Sequence, residues 1–269
     1  MNNEVIKKCD GADLLLDTAQ LAALIVLESG GEASRAEEIA TIICRCGGSH
    51  DAEAIVLPTG AFLTVEDDDG KKISAAARIK VRSINLHKVE RANAYSREFS
   101  AGKITLEQLH EKLLRLRTSI LYSRTMTILA SGLSAAMFTL LFESTLNFTV
   151  FFDMLVSFGA TAFSQWIVLS SRIRNAYQFT VTFISSFIIA LITVLSVSAI
   201  GIGSIDCIII GSIMPLLPGI SFTNAVRDTV MGDLISGTVR IVETLLIAIG
   251  IASGAGVVLI AYMNMGGVI

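Results

Sequence analysis

Charged residues are divided very unevenly along this chain. Residues 1–124 contain 17 of its 21 lysines and arginines and 18 of its 24 aspartates and glutamates, so the other 145 residues carry only ten charges. An ordinary soluble domain is about 25% charged throughout its length. A single soluble domain is therefore excluded. The partition predicts a soluble α+β domain in residues 1–124, followed by an all-α transmembrane bundle in residues 125–269.

The second part contains five segments of the length and apolarity that a membrane span requires, about 20 residues. Pro215 and Pro218–Gly219 interrupt the fourth segment, because proline removes a backbone donor and glycine permits unusual dihedral angles. We therefore predict five spans, with the fourth helix broken at the prolines. The predicted spans cover residues 125–142, 148–171, 176–200, 207–226 and 240–263.

Positive charges flank these spans on one side only. The connections before the first span and after the second and fourth contain arginine, whereas residues 143–147, 201–206 and 264–269 contain neither lysine nor arginine. The positive-inside rule then predicts a multi-pass membrane protein with a cytosolic N-terminus and the C-terminus outside. The net charge of −3 argues against a nucleic-acid partner.

Hydrophobic periodicity in the first 124 residues predicts four helices and three strands. The helices are expected over residues 10–29, 32–47, 86–100 and 105–117, and the strands over 53–57, 60–66 and 72–81. Cys44, Cys46 and His50 match no usual zinc spacing, and no phosphate-binding loop occurs. Neither a metal nor another cofactor is therefore expected.

Four charged residues surround a glycine pair in the run ESGGEASRAEE. They are Glu28, Glu32, Arg35 and Glu38. Arg35 and Glu38 are three residues apart and can pair on one helix face. Two interpretations stay open here: a salt-bridged corner between two helices, or a cytosolic gate that handles a ligand.

Ionisable residues within predicted spans are costly and usually face a pathway or each other. Asp153 lies about one and a half turns into the second span and is a candidate for an ion or substrate pathway. Residues 211–243 hold a denser set behind the helix break. These candidates are Pro215, Pro218, Gly219, Thr223, Asn224, Arg227, Asp228, Asp233, Arg240 and Glu243.

Broken helices expose backbone dipoles that bind small polar substrates in secondary transporters. Arg227 could hold a substrate carboxylate through two parallel hydrogen bonds. Asp228, Asp233 or Glu243 could bind an amine or carry a proton. The alternative is that Arg227 and Asp228 lie in an ordinary loop while Arg240 and Glu243 neutralise each other.

Three stretches resemble the threonine/serine exporter family. They are ESGGEASRAEE, RSINLHKVERANAYSRE, and GSIMPLLPGISFTNAVRDTVMGDLISGTVRIVETLLIAIGIASGAG. The resemblance runs from about residue 12 to 260 in the family's order. It implies a cytosolic domain, membrane helices and export of small metabolites driven by an ion gradient, with protons as the expected coupling ion.

Single-chain members of that family have about ten spans in two parts, and this chain resembles the first part. The resemblance therefore implies the larger subunit (YjjP-like) of a two-component exporter, working with a small membrane partner that carries the second part (YjjB-like). The substrates implied are threonine, serine or succinate, and a homo-oligomer stays open. The rival hypotheses are a membrane-anchored enzyme, with its site around Glu28, Glu32 and His50, and a regulatory or scaffold subunit.

Overall fold

The protein is described from a computed structural model, which covers residues 11–49, 51–66, 70–79, 83–143, 147–170 and 176–267. Its residues group by contact into two units. Unit 1 comprises Met1–Ser119 and Ile220–Ile241, and unit 2 comprises Ile120–Gly219 and Val242–Ile269. The predicted division was different, because it assigned all of residues 125–269, including Ile220–Ile241, to the transmembrane part.

The first seven elements of unit 1 follow the predicted order of two helices, three strands and two helices. They are α1 (Gly11–Glu28), α2 (Ala33–Cys46), β1 (Ala52–Leu57), β2 (Gly60–Glu66), β3 (Lys72–Arg78), α3 (Leu86–Ser100) and α4 (Leu106–Thr118). The three strands form one antiparallel sheet with β2 in the centre. Adjacent strands are joined by short connections, which favour this meander.

Helix α1 lies at the centre of unit 1, where it packs against α2, α3, α4 and the sheet. Its small residues Ala19, Ala22 and Ala23 are fully buried. Small side chains let neighbouring elements approach the axis of α1 closely. The larger side chains of Ile39 in α2 and Leu109 in α4 are buried in the same core. Helix α4 begins with a capping box between Thr105 and Gln108, which satisfies two backbone donors of its first turn.

The remaining helices contain the predicted spans. They are α5 (Arg124–Phe142), α6 (Phe148–Ser170), α7 (Gln178–Ile200), α8 (Ile205–Ile213), α9 (Gly219–Val230) and α10 (Leu234–Asn264). Among the described residues, α5, α6, α7 and α10 are each long and apolar enough to cross a membrane, and α8 with α9 makes a fifth if that bent pair is one span.

The predicted break of the fourth segment is confirmed. Helix α8 ends at Ile213, a 3₁₀ turn that contains Pro215 follows, and α9 begins at Gly219 directly after Pro218. The two helices are bent by 54° at this point. The fifth predicted segment, residues 240–263, begins earlier in the structure because α10 already starts at Leu234.

Candidate functional site

The connection between α1 and α2 is a tight corner, residues 28–33, that we call the glycine corner. Gly30 has a φ of +82°, a left-handed conformation that glycine adopts without steric cost. A Cβ atom on Gly31 would lie 2.9 Å from the carbonyl oxygen of Val26, so this position also requires glycine. The Glu32 side chain does not cap α2 and is free to bind elsewhere.

A second tight turn joins α9 to α10. Gly232 has a φ of +94°, and Asp233 Oδ1 accepts a hydrogen bond from Ser236 N at 3.1 Å, which caps the start of α10. Gly237 lies directly against Thr229, and because glycine has no side chain the two helices can approach each other closely here. The aspartate of this turn therefore has a structural function as a helix cap.

Three side chains of α9 and α10 bind three consecutive residues of the glycine corner. Asn224 Nδ2 donates to the Gly30 carbonyl at 2.8 Å. Arg227 Nη1 lies 2.7 Å from Glu32 Oε1, and Arg240 Nη2 donates to the Gly31 carbonyl at 2.7 Å. All of these residues belong to unit 1, and these bonds explain why Ile220–Ile241 groups with it.

Beneath these contacts lies a buried ion pair. Arg240 Nε is 3.2 Å from Asp228 Oδ2, and the two side chains are only 7% and 1% exposed. Because both charges have lost their water, each depends on the other for compensation.

The predicted gate residues separate into three groups. Glu32 joins α9, as described, whereas Glu28 forms a bidentate ion pair with Arg117, with distances of 2.6 and 3.1 Å. Arg35 and Glu38 pair with each other at 2.7 Å, three residues apart on α2. Their mutual pairing matches the salt-bridged helix corner that the sequence left open.

The alternative that placed Arg227 and Asp228 in a loop is wrong, because both lie within α9. Thr223 of the same helix is exposed, and Glu243 of α10 is half-buried in unit 2. His50, which the enzyme hypothesis invoked, lies outside the described residues.

Asp153 of α6 is buried in unit 2, with 1% of its surface exposed. Its carboxylate accepts from Ser204 N, at 3.3 Å to Oδ1 and 3.2 Å to Oδ2. Gly203, with a φ of +108°, brings the backbone onto this carboxylate, and a Cβ there would overlap it.

Asp153 heads a row of buried polar residues along one face of α6, which we call the polar stripe. The others are Ser157, Thr161 and Ser164, none more than 2% exposed. They recur at intervals of three or four residues and therefore lie on one face of the helix. Of these four residues, only Asp153 is predicted as a site residue from the sequence, although the three- and four-residue spacing of the other three is visible there as well.

The polar stripe continues onto three neighbouring helices. Ser157 Oγ lies 2.8 Å from Thr139 Oγ1 of α5 and 2.8 Å from Ser212 Oγ of α8. Ser164 Oγ donates to the carbonyl of Ser185 in α7 at 3.3 Å. Unit 2 therefore contains a connected set of hydroxyl groups between helices that are otherwise apolar.

Comparison with known families decides what kind of protein carries these sites. Residues 17–262 match the family model described as "Putative threonine/serine exporter". The chain belongs to this family. No curated protein and no solved structure matches it significantly. The several helices that are long and apolar enough to cross a membrane, together with this family, indicate a multi-pass membrane protein. The family is one of transporters rather than of enzymes.

Proposed function

We propose that this chain is a subunit of a secondary-active exporter of small polar metabolites, either threonine and serine or a C4-dicarboxylate such as succinate. The observation that carries the proposal is the polar stripe of unit 2. Buried hydroxyl and carboxyl groups are costly inside membrane helices and normally face one another or a pathway. The hydroxyls of Ser157, Thr161 and Ser212 can donate to a carboxylate and accept from an ammonium or hydroxyl group.

Proton coupling is proposed for Asp153, the carboxyl group at the head of the polar stripe. An ionised carboxylate is costly where it is buried, and Asp153 is only 1% exposed. Ser204 N donates its one hydrogen to this carboxylate and so stabilises the ionised form. Asp153 would therefore exchange one proton with substrate or solvent in each transport cycle.

The glycine corner and the helices bound to it are proposed as the cytosolic gate. Its two ion pairs differ in how easily they break. The Arg227–Glu32 pair is partly exposed, at 56% and 23%, so it is worth about 1 kcal/mol or less and can be exchanged for another partner. Arg227 would release Glu32 and bind a substrate carboxylate, while the buried Asp228–Arg240 pair would hold the gate together.

The small membrane partner carrying the second part of the family (YjjB-like) is also part of this proposal. Its support is the resemblance of the chain to the first part of longer members. In this arrangement the protein lies in the cytoplasmic membrane with its N-terminus inside and its C-terminus outside, as the arginine distribution predicts.

The experiment is efflux of labelled threonine, serine and succinate from cells that produce this chain with and without the partner. We expect partner-dependent efflux of one substrate. Efflux from this chain alone would replace the two-component arrangement with a homo-oligomer, and export by the partner alone would make this chain a regulatory subunit. No efflux of any of the three from cells with both proteins in the membrane would contradict the proposed substrates.

Two variants with matched controls test the pathway itself. Asp153→Asn is expected to abolish export, whereas Asp206→Asn, an exposed aspartate of α8, should leave it unchanged. Arg227→Ala is expected to abolish export without preventing membrane insertion, whereas Arg115→Ala, in an exposed pair of α4, should not. Wild-type export from Arg227→Ala would refute its role in the gate.

A further inference from the structure

Unit 1 contains a cavity of about 360 Å³ that the transport proposal does not use. Its wall is formed by the end of α1, the end of β3, the segment before α3, and helices α3 and α4. The polar residues that line it are Glu28, Ser29, Arg78, Ser83, Lys88 and Arg117. All of them belong to unit 1.

The charges around this cavity do not balance. Arg117 and Glu28 neutralise each other through their bidentate pair. Lys88 Nζ donates to the Arg117 carbonyl oxygen at 2.6 Å, a neutral acceptor that leaves its charge uncompensated. Among the residues that the structure describes, no carboxylate pairs with Arg78 or Lys88. The described residues that line the cavity therefore carry a net charge of +2, which favours a bound anion.

Ser29, directly after α1, adds a hydroxyl group to the wall of the same cavity. A serine hydroxyl can donate a hydrogen bond to a carboxylate or phosphate oxygen. An anion bound by Arg78 and Lys88 would therefore have a third donor within the cavity.

We propose that this cavity binds a small anion with a carboxylate or phosphate group, held by Arg78 and Lys88 and by a hydrogen bond from Ser29 Oγ. Ser29 belongs to the glycine corner, and the next two residues are Gly30 and Gly31, whose carbonyls bind Asn224 and Arg240. An anion on Ser29 therefore stabilises the corner to which α9 and α10 are attached. The cavity is therefore a regulatory site that acts on the glycine corner, and it is distinct from the polar stripe.

The neighbouring backbone supports this connection. Ser83 N donates to the Glu28 carbonyl at 2.8 Å, and Asn85 N donates to the Ser29 carbonyl at 3.0 Å. These two bonds join the segment before α3 directly to the glycine corner. A ligand that contacts Lys88 of α3 and Ser29 of the corner thus bridges two elements that already share backbone hydrogen bonds.

The test is isothermal titration of the purified full-length chain with two probes, succinate for a carboxylate ligand and inorganic phosphate for a phosphate ligand. We expect at least one probe to bind, and Arg78→Gln and Lys88→Gln each to weaken its affinity at least tenfold. Lys88→Arg should retain binding because it keeps the charge. Arg91→Gln, an exposed arginine of α3 outside the cavity, is the matched control and should bind like the wild type.

Binding should also weaken with added salt, because screening reduces the attraction between charges. Melting temperatures of the same variants identify any that fail to fold. The proposal is overturned if neither probe binds, or if a bound probe is unaffected by both Arg78→Gln and Lys88→Gln. Succinate that binds in the export pathway instead of this cavity would be unaffected by Arg78→Gln and Lys88→Gln, so the test distinguishes this proposal from the export proposal.

Discussion

Loss of the buried arginine is the most informative perturbation of unit 1. Arg240 carries two contacts at once: its Nε lies 3.2 Å from Asp228 Oδ2, and its Nη2 donates to the Gly31 carbonyl at 2.7 Å. Arg240→Met keeps the length and apolar stem of the side chain but removes both. The Asp228 carboxylate, 1% exposed, then remains buried without the cation that compensates it.

The expected cost follows from this uncompensated charge. Removing one partner of a buried ion pair typically destabilises a protein by about 3–5 kcal/mol. Replacing both partners with apolar residues of similar size is often nearly neutral. The double variant Asp228→Leu/Arg240→Met should therefore recover most of the stability that Arg240→Met loses, since no unpaired charge remains.

Cys44 provides a direct measure of opening in unit 1. It is 2% exposed in the core, and burial raises the pKa of its thiol to about 11, so it reacts only when unit 1 opens. In a chain whose other cysteines are replaced by serine, its labelling rate follows the equilibrium between closed and open states. A loss of 3–5 kcal/mol should accelerate labelling between about a hundredfold and a few thousandfold.

Arg115→Met is the matched control, because it removes the same side chain from an exposed pair with Glu111. Such a pair contributes less than about 1 kcal/mol, so labelling should change by less than about fivefold. The reasoning is refuted if Arg240→Met behaves like Arg115→Met. It is also refuted if the double variant opens as readily as the single one.

Two further predictions concern packing and pH. Gly237→Ala should destabilise the protein by about 1–2 kcal/mol and lower its melting temperature, because the new Cβ would overlap Thr229. Gly256→Ala on the same helix meets open space and should stabilise the protein by up to about 1 kcal/mol. Equal shifts in melting temperature for the two variants would contradict the packing. Burial, reinforced by nearby acidic residues, raises the pKa of Glu37. Its folded state therefore holds the proton more tightly, and the resulting stability is lost as pH rises above about 4. Glu37→Gln, which keeps an acceptor for Val56 N, should therefore gain stability relative to the wild type as the pH rises above about 4, measured by Cys44 labelling. A stability difference that does not change with pH would refute this.

Local sequence signals predicted most of the secondary structure. The Gly30–Gly31 pair marked the end of α1, and Pro215 and Pro218 marked the break between α8 and α9. These features act within a few residues of chain, because proline and glycine change the backbone dihedral angles available to their immediate neighbours. The apolar runs likewise predicted helices α5, α6, α7 and α10.

The composition of the candidate site was not predictable in the same way. The sequence predicted Glu32 as a gate residue and Arg227 as part of a substrate pathway. In the structure these two side chains form an ion pair at 2.7 Å. Asp233 was selected for its charge and is a helix cap. The polar stripe beyond Asp153 was missed because serine and threonine are common in apolar helices and carry no charge to mark them.

The sequence by itself determined the family, the separation of charged and apolar parts, and the positions of the turns, since each depends on residue type and near neighbours. Only the tertiary structure decided that Asn224, Arg227 and Arg240 bind the glycine corner, about two hundred residues away along the chain. One arginine can pair with any carboxylate that reaches it. Which carboxylate does so depends on how the helices pack, and the order of residues does not specify that directly.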